Sequence, residues 1–238
     1  MARKSKKKTK PAGPGFLRRL RRRILRAVLA VVALVFLWIL AYSVLPVPST
    51  FYMVVEGSRQ GASVDYQWTP MDRISPNLAR AVVAAEDANF CNHGGFDLAA
   101  IRSAISAGGQ RGASTISQQT VKNTFLWHGR SWPRKALEAM ITPVVELTWS
   151  KTRILEVYLN IAEFDTGVFG VEAASRHYFG VGPEEISLRQ AAQLAAVLPA
   201  PKDRNAGAPG PFVRRRAAQI MDGAATIARD GRSSCFEH

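Results

Sequence analysis

Hydrophobic positions along this chain fall into two regimes. From Ala27 to Pro46, twenty residues run without a charge. As a helix that stretch is about 30 Å long, the thickness of a bilayer's hydrocarbon core. It is apolar on every face, unlike a surface helix with one oily stripe. Trp38 and Tyr42 lie toward its far end, where amphipathic rings suit a membrane interface. The stretch predicts one transmembrane helix. A cleaved signal peptide is the alternative, with small residues at a cleavage-like spacing in Ala41-Tyr42-Ser43. The apolar run exceeds a usual signal core, which favours an anchor. Residues 47–69 read as a connector. Pro46, Pro48, Ser49 and Thr50 break the helix, and Phe51–Val55 and Ser63–Trp68 predict one or two short strands.

Beyond Ser75 the apolar positions recur at helical spacing. Ser75 with Pro76 opens a helix whose stripe is Leu78, Val82 and Glu86. A second helix starts at Asp97 and stops at Gly108-Gly109. A third opens at Thr115, with Gln118 completing a capping box. A fourth runs from Pro133 toward Trp149, with a kink or break expected at Pro143. Further helices follow at Lys151–Ile161, around Val171–Tyr178 up to Gly180, from the Ser187/Gln190 capping box to Leu198, and over Phe212–Ala228. The reading is mainly α with little sheet. Its divisions are a basic arm (1–26), a transmembrane helix (27–46), a connector (47–69) and one helical domain (70–238).

Charge at first suggests nucleic acid, since the 238 residues carry a formal net charge of +14. Its location removes the suggestion. Residues 1–26 hold 12 Lys/Arg and no acid, while the rest hold 20 Lys/Arg against 18 Asp/Glu. A basic block before an apolar helix sets topology, cytoplasm-side, and suits anionic lipid. No nucleic-acid partner is needed. An apolar share of 47% excludes wholesale disorder. Two cysteines make neither a disulfide framework nor a zinc site.

Three polar clusters carry candidate chemistry. Glu86 sits on an apolar stripe, costly for a carboxylate unless it has partners or faces a cleft. Asp87, Phe90 and His93 follow it. The plainer reading is an ordinary charged helix end. The second cluster, Gly112 to Asn123, puts Gln118 and Lys122, and Gln119 and Asn123, on shared faces of one helix. It lacks the Gly-Lys-Ser/Thr ending of a P-loop. The third holds Arg130, Arg134, Lys135 and Glu138, cations suited to a diphosphate, and then Glu146 in an apolar setting. Glu86 and Glu146 together suggest the paired carboxylates of glycosyl chemistry.

These clusters resemble the signatures of the peptidoglycan glycosyltransferases of family 51. Glu86-Asp87-x-x-Phe90-x-x-His93-x-Gly95 is similar to the first signature. Gly112-Ala-Ser-Thr-Ile-x-Gln-Gln-x-x-Lys-Asn123 is similar to the second, and Arg134-Lys135 with Glu138 and Glu146 to the third. Lys151-x-x-Ile-Leu-Glu-x-Tyr-Leu-Asn160 resembles the fourth, Gly167–Gly180 the segment after it, and Ser187–Pro201 the fifth. They occur in family order across roughly residues 70–205.

The resemblance implies a lysozyme-like helical domain with a small membrane-associated lobe. It implies polymerisation of lipid II onto an undecaprenyl-diphosphate-linked glycan, with a new β-1,4 bond, inversion, and release of undecaprenyl diphosphate. Glu86 then matches the general base and Glu146 the second catalytic glutamate. Lys122, Arg130, Arg134 and Lys135 would surround the diphosphates. Asp87, Ser114, Thr115, Gln118, Gln119 and Asn123 would position substrate, with Asp87 holding either the helix end or a divalent ion. His93, Lys151, Glu156, Tyr158 and Asn160 would brace the cleft. Phe125, Leu126, Trp127 and Trp132 would either rest on the membrane or pack in the core. No cofactor is required; a Mg or Mn ion at the diphosphate stays open. The implied partners are the lipid substrates, the membrane and other wall-synthesis proteins. The implied location is a bacterial inner membrane, single-pass, with the N-terminus cytoplasmic and the catalytic domain periplasmic. Only 33 residues follow Asn205, so the resemblance is to the type without a transpeptidase domain, and Ser5-x-x-Lys8 is an accident of the basic arm. Asp165-Thr166 departs from the family's usual turn. Cys91 and Cys235 are left as either a pair or free thiols. A lytic transglycosylase or muramidase, and a non-enzymatic scaffold, are the alternatives; neither needs a grip on diphosphate.

Overall fold

Among the described residues, five helices start where a side chain takes an otherwise unpaired N–H of the first turn: those capped by Thr50, Asp97, Thr115, Ser150 and Ser187. The computed structural model describes residues 15–108, 112, 114–129 and 131–237. It divides into two compact units, one ending at Ala41 and the other spanning Tyr42–His238. In the first, helix α1 covers Phe16–Tyr42, and among the described residues it is the one helix long and apolar enough to cross a membrane. It takes in arginines that the apolar pattern left outside, because Arg is a good helix former. It stops at Tyr42, ahead of Pro46.

The second unit begins with helix α2, Phe51–Gln60, where the β-branched run Phe51–Val55 predicted a strand. Thr50 decides the outcome. Its hydroxyl accepts from Met53 N at 3.3 Å, and Met53 and Glu56, three apart, share the buried face. Strand β1, Asp65–Tyr66, then lies parallel to β3, Val168–Phe169, which is antiparallel to β2, Glu163–Asp165. The order is β1-β3-β2. Residues 47–69 are therefore part of the folded unit rather than a linker to it. The Asp165-Thr166 departure forms the tight β2–β3 turn: Thr166 N donates to Asp165 Oδ1 at 2.7 Å, and Gly167 takes φ 75°.

The remaining helices are α3 (Pro76–Glu86), α4 (Leu98–Ser106), α5 (Ile116–Phe125), α6 (Trp132–Thr148), α7 (Lys151–Ile161), α8 (Gly170–Phe179), α9 (Leu188–Val197) and α10 (Pro211–Asp230). Both predicted capping boxes form, at Thr115/Gln118 and Ser187/Gln190. Helix α6 runs through Pro143 without a break. Two packed groups position the site. In one, α3, α9 and α10 meet through buried Val82, Leu194, Ile220 and Ala224. In the other, α5 packs on α6 and α7. Helix α7 is buried on nearly every face from Ile154 to Ile161. Its Asn160 is fully enclosed and satisfied: Nδ2 donates to Thr69 O and Glu156 O, and Oδ1 accepts from Thr69 N.

Candidate active site

Glu86 is the last residue of α3, and α5 brings Gln119 against it. Gln119 Nε2 donates to Glu86 Oε2 at 2.9 Å, and Tyr158 Oη on α7 donates to Gln119 Oε1 at 3.3 Å. The tyrosine thereby sets which end of the amide faces the carboxylate. Burial raises the Glu86 pKa above its ordinary value. The Gln119 hydrogen bond and the charges of Arg216 and Lys122 oppose that rise, while Asp87 adds to it.

Asp87 is turned inward. His93 Nε2 lies 2.9 and 3.1 Å from its two oxygens, and Ile116 N donates to Oδ2 at 2.9 Å. A carboxylate only accepts, so the hydrogen sits on His93 Nε2, leaving Nδ1 to accept from Gly95 N. Thr115 Oγ1 donates to Gly95 O at 2.7 Å. Gly95 has φ 95°, and a Cβ there would lie 2.6 Å from Thr142 Cγ2, so the His-x-Gly spacing has a steric reason. Thr115 and Gln118 are occupied by their capping box. Asp87, Thr115 and Gln118 thus hold the helix ends together. Ser114, with Glu86, Asn89 and Asp97, lines a recess of about 200 Å³.

One turn beyond Gln119 lies Lys122. Among the described residues it has no ion-pair partner within 4.0 Å, and burial depresses its pKa. Glu138, Arg134 and Lys135 are the next charges acting on it. Glu138 is enclosed at 2% exposure; it accepts from Arg134 Nη1 at 2.8 Å and from Lys135 Nζ. Three cations therefore face one carboxylate. Arg130, also expected here, lies outside the described residues. Asn123 Oδ1 meets His128 Nε2 at 3.2 Å.

Glu146, on α6, is held by two polar partners. Its Oε1 accepts from Ser117 Oγ and from Lys151 Nζ at 2.9 Å, and Lys151 also donates to His93 O at 2.7 Å. That ties α5, α6, α7 and the His93 loop together. Glu138, not Glu146, is the acid bonded to the Arg134/Lys135 cations. The reason is position along α6: Glu138 follows Arg134 by four and shares its face, whereas Glu146 lies about 12 Å further along the helix axis, eight residues at 1.5 Å each. Glu156 accepts from Met71 N and Arg153.

Several residues lacked any signal in the sequence. Tyr52 stacks on His128 with centroids 3.6 Å apart and donates to Glu163 at 2.6 Å. Lys202 pairs with Glu56 at 2.6 Å. Tyr52, Lys122, Asn123, His128 and Glu163 line a second recess of about 200 Å³ beyond Gln119. Burial and the nearby cations hold the His128 pKa at about 4. The four apolar side chains of the cation segment divide. Phe125 packs against Tyr42 and Trp149, and Leu126 is buried, while Trp127 and Trp132 are exposed.

No three His, Cys, Asp or Glu side chains converge among the described residues. Asp87, the proposed ion ligand, has its oxygens committed to His93 and Ile116. The donor set does not fit a protein-held divalent ion.

The transglycosylase family model matches residues 55–225. The chain belongs to the transglycosylase family. It is 59% identical over 235 residues to a biosynthetic peptidoglycan transglycosylase of Jannaschia sp., covering 99% of this chain and 98% of the relative. It is 49% identical to that of Ectopseudomonas mendocina, over 86% of this chain and 88% of the relative, and 44% identical to that of Caulobacter vibrioides, over 92% and 98%. The transglycosylase is a glycosyltransferase of peptidoglycan synthesis, with a mainly α, lysozyme-like domain. Glu86, Gln119, Lys122, Arg134, Lys135 and Glu138 all fall inside the matched segment, and residues 226–238 lie beyond it.

Proposed function

We propose that this transglycosylase polymerises lipid II, with Glu86 as general base. The carrying observation is the sharing of one helix face by Gln119, which aims Glu86, and Lys122, a half-buried cation without an ion-pair partner among the described residues. Proton removal and charge neutralisation are then one turn apart. The acceptor's sugar 4-oxygen attacks the donor's anomeric carbon and loses its proton to the Glu86 carboxylate. The bond from that carbon to the diphosphate oxygen breaks from the opposite face, so configuration inverts. The leaving diphosphate takes the electron pair, and Lys122, Arg134 and Lys135 offset its growing charge. Glu138 holds the last two in place. In this reading Glu146 is a brace, not a reacting group.

Helix α6 supports delivery from a bilayer. Its charged Arg134 and Glu138 face inward, while Trp132, Met140 and Leu147 are 88%, 70% and 86% exposed. That is the reverse of a soluble surface helix. We read this face as resting in lipid, α1 as the anchor, and the second unit as lying on the periplasmic side of a bacterial inner membrane. Purified protein with labelled lipid II, run beside Glu86→Gln, tests the proposal. Long glycan strands from wild type alone are expected. Strands from Glu86→Gln would remove the base assignment, and clearing of isolated cell walls would indicate a lytic enzyme.

A further inference from the structure

The C-terminal tail grips the backbone that carries Glu86, and its residues lie beyond the segment that matches the family. After α10 the chain turns at Gly231, with φ 79°. Arg232 Nη1 donates to Ala88 O at 3.2 Å. Cys235 is disulfide-bonded to Cys91, 144 positions earlier. Phe236, 3% exposed, packs on Phe90 with centroids 6.4 Å apart. Glu237 accepts two hydrogen bonds from Arg80, at 2.6 and 2.9 Å. Within α10, Arg216 Nη2 donates to Ala85 O at 3.1 Å.

Every one of these contacts falls between Arg80 and Cys91. That segment contains the end of α3, where the last carbonyls have no helical partner and the helix would fray. Arg216 takes one such carbonyl, and Arg232 takes one in the turn that follows. The grip continues inward. Phe90 lies edge-on to His93 at 6.3 Å and 4.5 Å from Lys151 Nζ, and His93 holds Asp87. Tail, turn and cleft form one connected stack.

We propose that the tail Arg232–Glu237 is a positioning element, fixing the turn at 85–91 so that Glu86 stays against Gln119 with its oxygens aimed into the cleft. This rests on Glu86 being the base. Its placement matters because a displacement of about 1 Å at a reacting group costs roughly a hundredfold in rate.

The test uses the full chain with two separate changes: Cys91→Ser with Cys235→Ser, and Phe236→Ala with Glu237→Gln. Lipid II polymerisation per folded molecule is measured against pH, beside wild type and Glu86→Gln. The groups facing Glu86 are Asp87 next to it, Gln119 and Lys122 from α5, Tyr158 from α7, Arg216 from α10, and Asp97 across the recess. Neither change alters any of them. We expect kcat to fall roughly ten- to a hundredfold, with KM within about twofold. The acid limb of the profile should also move to lower pH, as water reaches the carboxylate and relieves the burial that raises its pKa. A lower melting temperature with wild-type kcat per folded molecule and an unmoved acid limb would make the tail a stability clamp only, and overturn the proposal. Should the serine pair not fold, the Phe236/Glu237 pair decides by the same readouts. An active Glu86→Gln would instead overturn the base assignment, a separate outcome.

Discussion

Replacing Lys122 with methionine keeps most of the side chain's length and removes its charge. The ammonium is half-buried, has no ion-pair partner among the described residues, and lies among Glu138, Arg134 and Lys135. Two unit charges about 4 Å apart at an effective dielectric near 20 interact by about 4 kcal/mol. The leaving diphosphate gains part of a unit charge as its bond to carbon breaks. Loss of one preorganised donor at such a site costs about 3–4 kcal/mol, or 10²–10³ in kcat. Arg134 and Lys135 cannot fully substitute, because both already bond Glu138. Stability should move the other way. Burial depresses the Lys122 pKa, so folding disfavours its charged form, and stability rises with pH between the folded and unfolded values. Lys122→Met removes that penalty, and its melting temperature should equal or exceed that of wild type below the window. The assay pairs glycan-strand formation from labelled lipid II with thermal melting. Activity within tenfold of wild type, or a melting temperature several degrees lower, would refute the argument.

Glu86→Gln should melt higher than wild type at neutral pH, since folding raises the Glu86 pKa and stability therefore falls as pH rises through that window; a lower melting temperature contradicts this. Gln119→Ala removes the hydrogen bond that favours the Glu86 carboxylate, so the acid limb of kcat/KM should move to higher pH. Gly95→Ala should cost roughly 2–4 kcal/mol in a denaturant melt, from a positive φ and a Cβ 2.6 Å from Thr142 Cγ2. Glu146→Gln should lower stability by about 1–3 kcal/mol through its Ser117 and Lys151 bonds while the folded fraction keeps its turnover; Glu138→Gln should lower turnover more than stability. The reverse ranking would return Glu146 to the reacting centre.

Much of the fold was legible in local signals. The capping boxes at Thr115/Gln118 and Ser187/Gln190 and the stop at Gly180 form within a few residues, so nearby side chains suffice to specify them. The apolar run of α1 is equally local. Phe51–Val55 is helix because a short apolar run fits either strand or helix, and the Thr50 cap favours the helix. Glu86 stood out because a carboxylate on an apolar stripe needs a reason. Tertiary structure alone decided which acid joins the cations, that Asp87 and Gln118 turn inward, that Tyr52, His128 and Glu163 line the recess beyond Gln119, and that the C-terminal tail packs on the turn after α3. Those residues come from α2, a loop, β2 and the far end of the chain. Local chemistry can specify helix ends and the oddity of a buried charge. What a charge meets depends on which helices pack together, through contacts dozens of residues apart that no periodicity records.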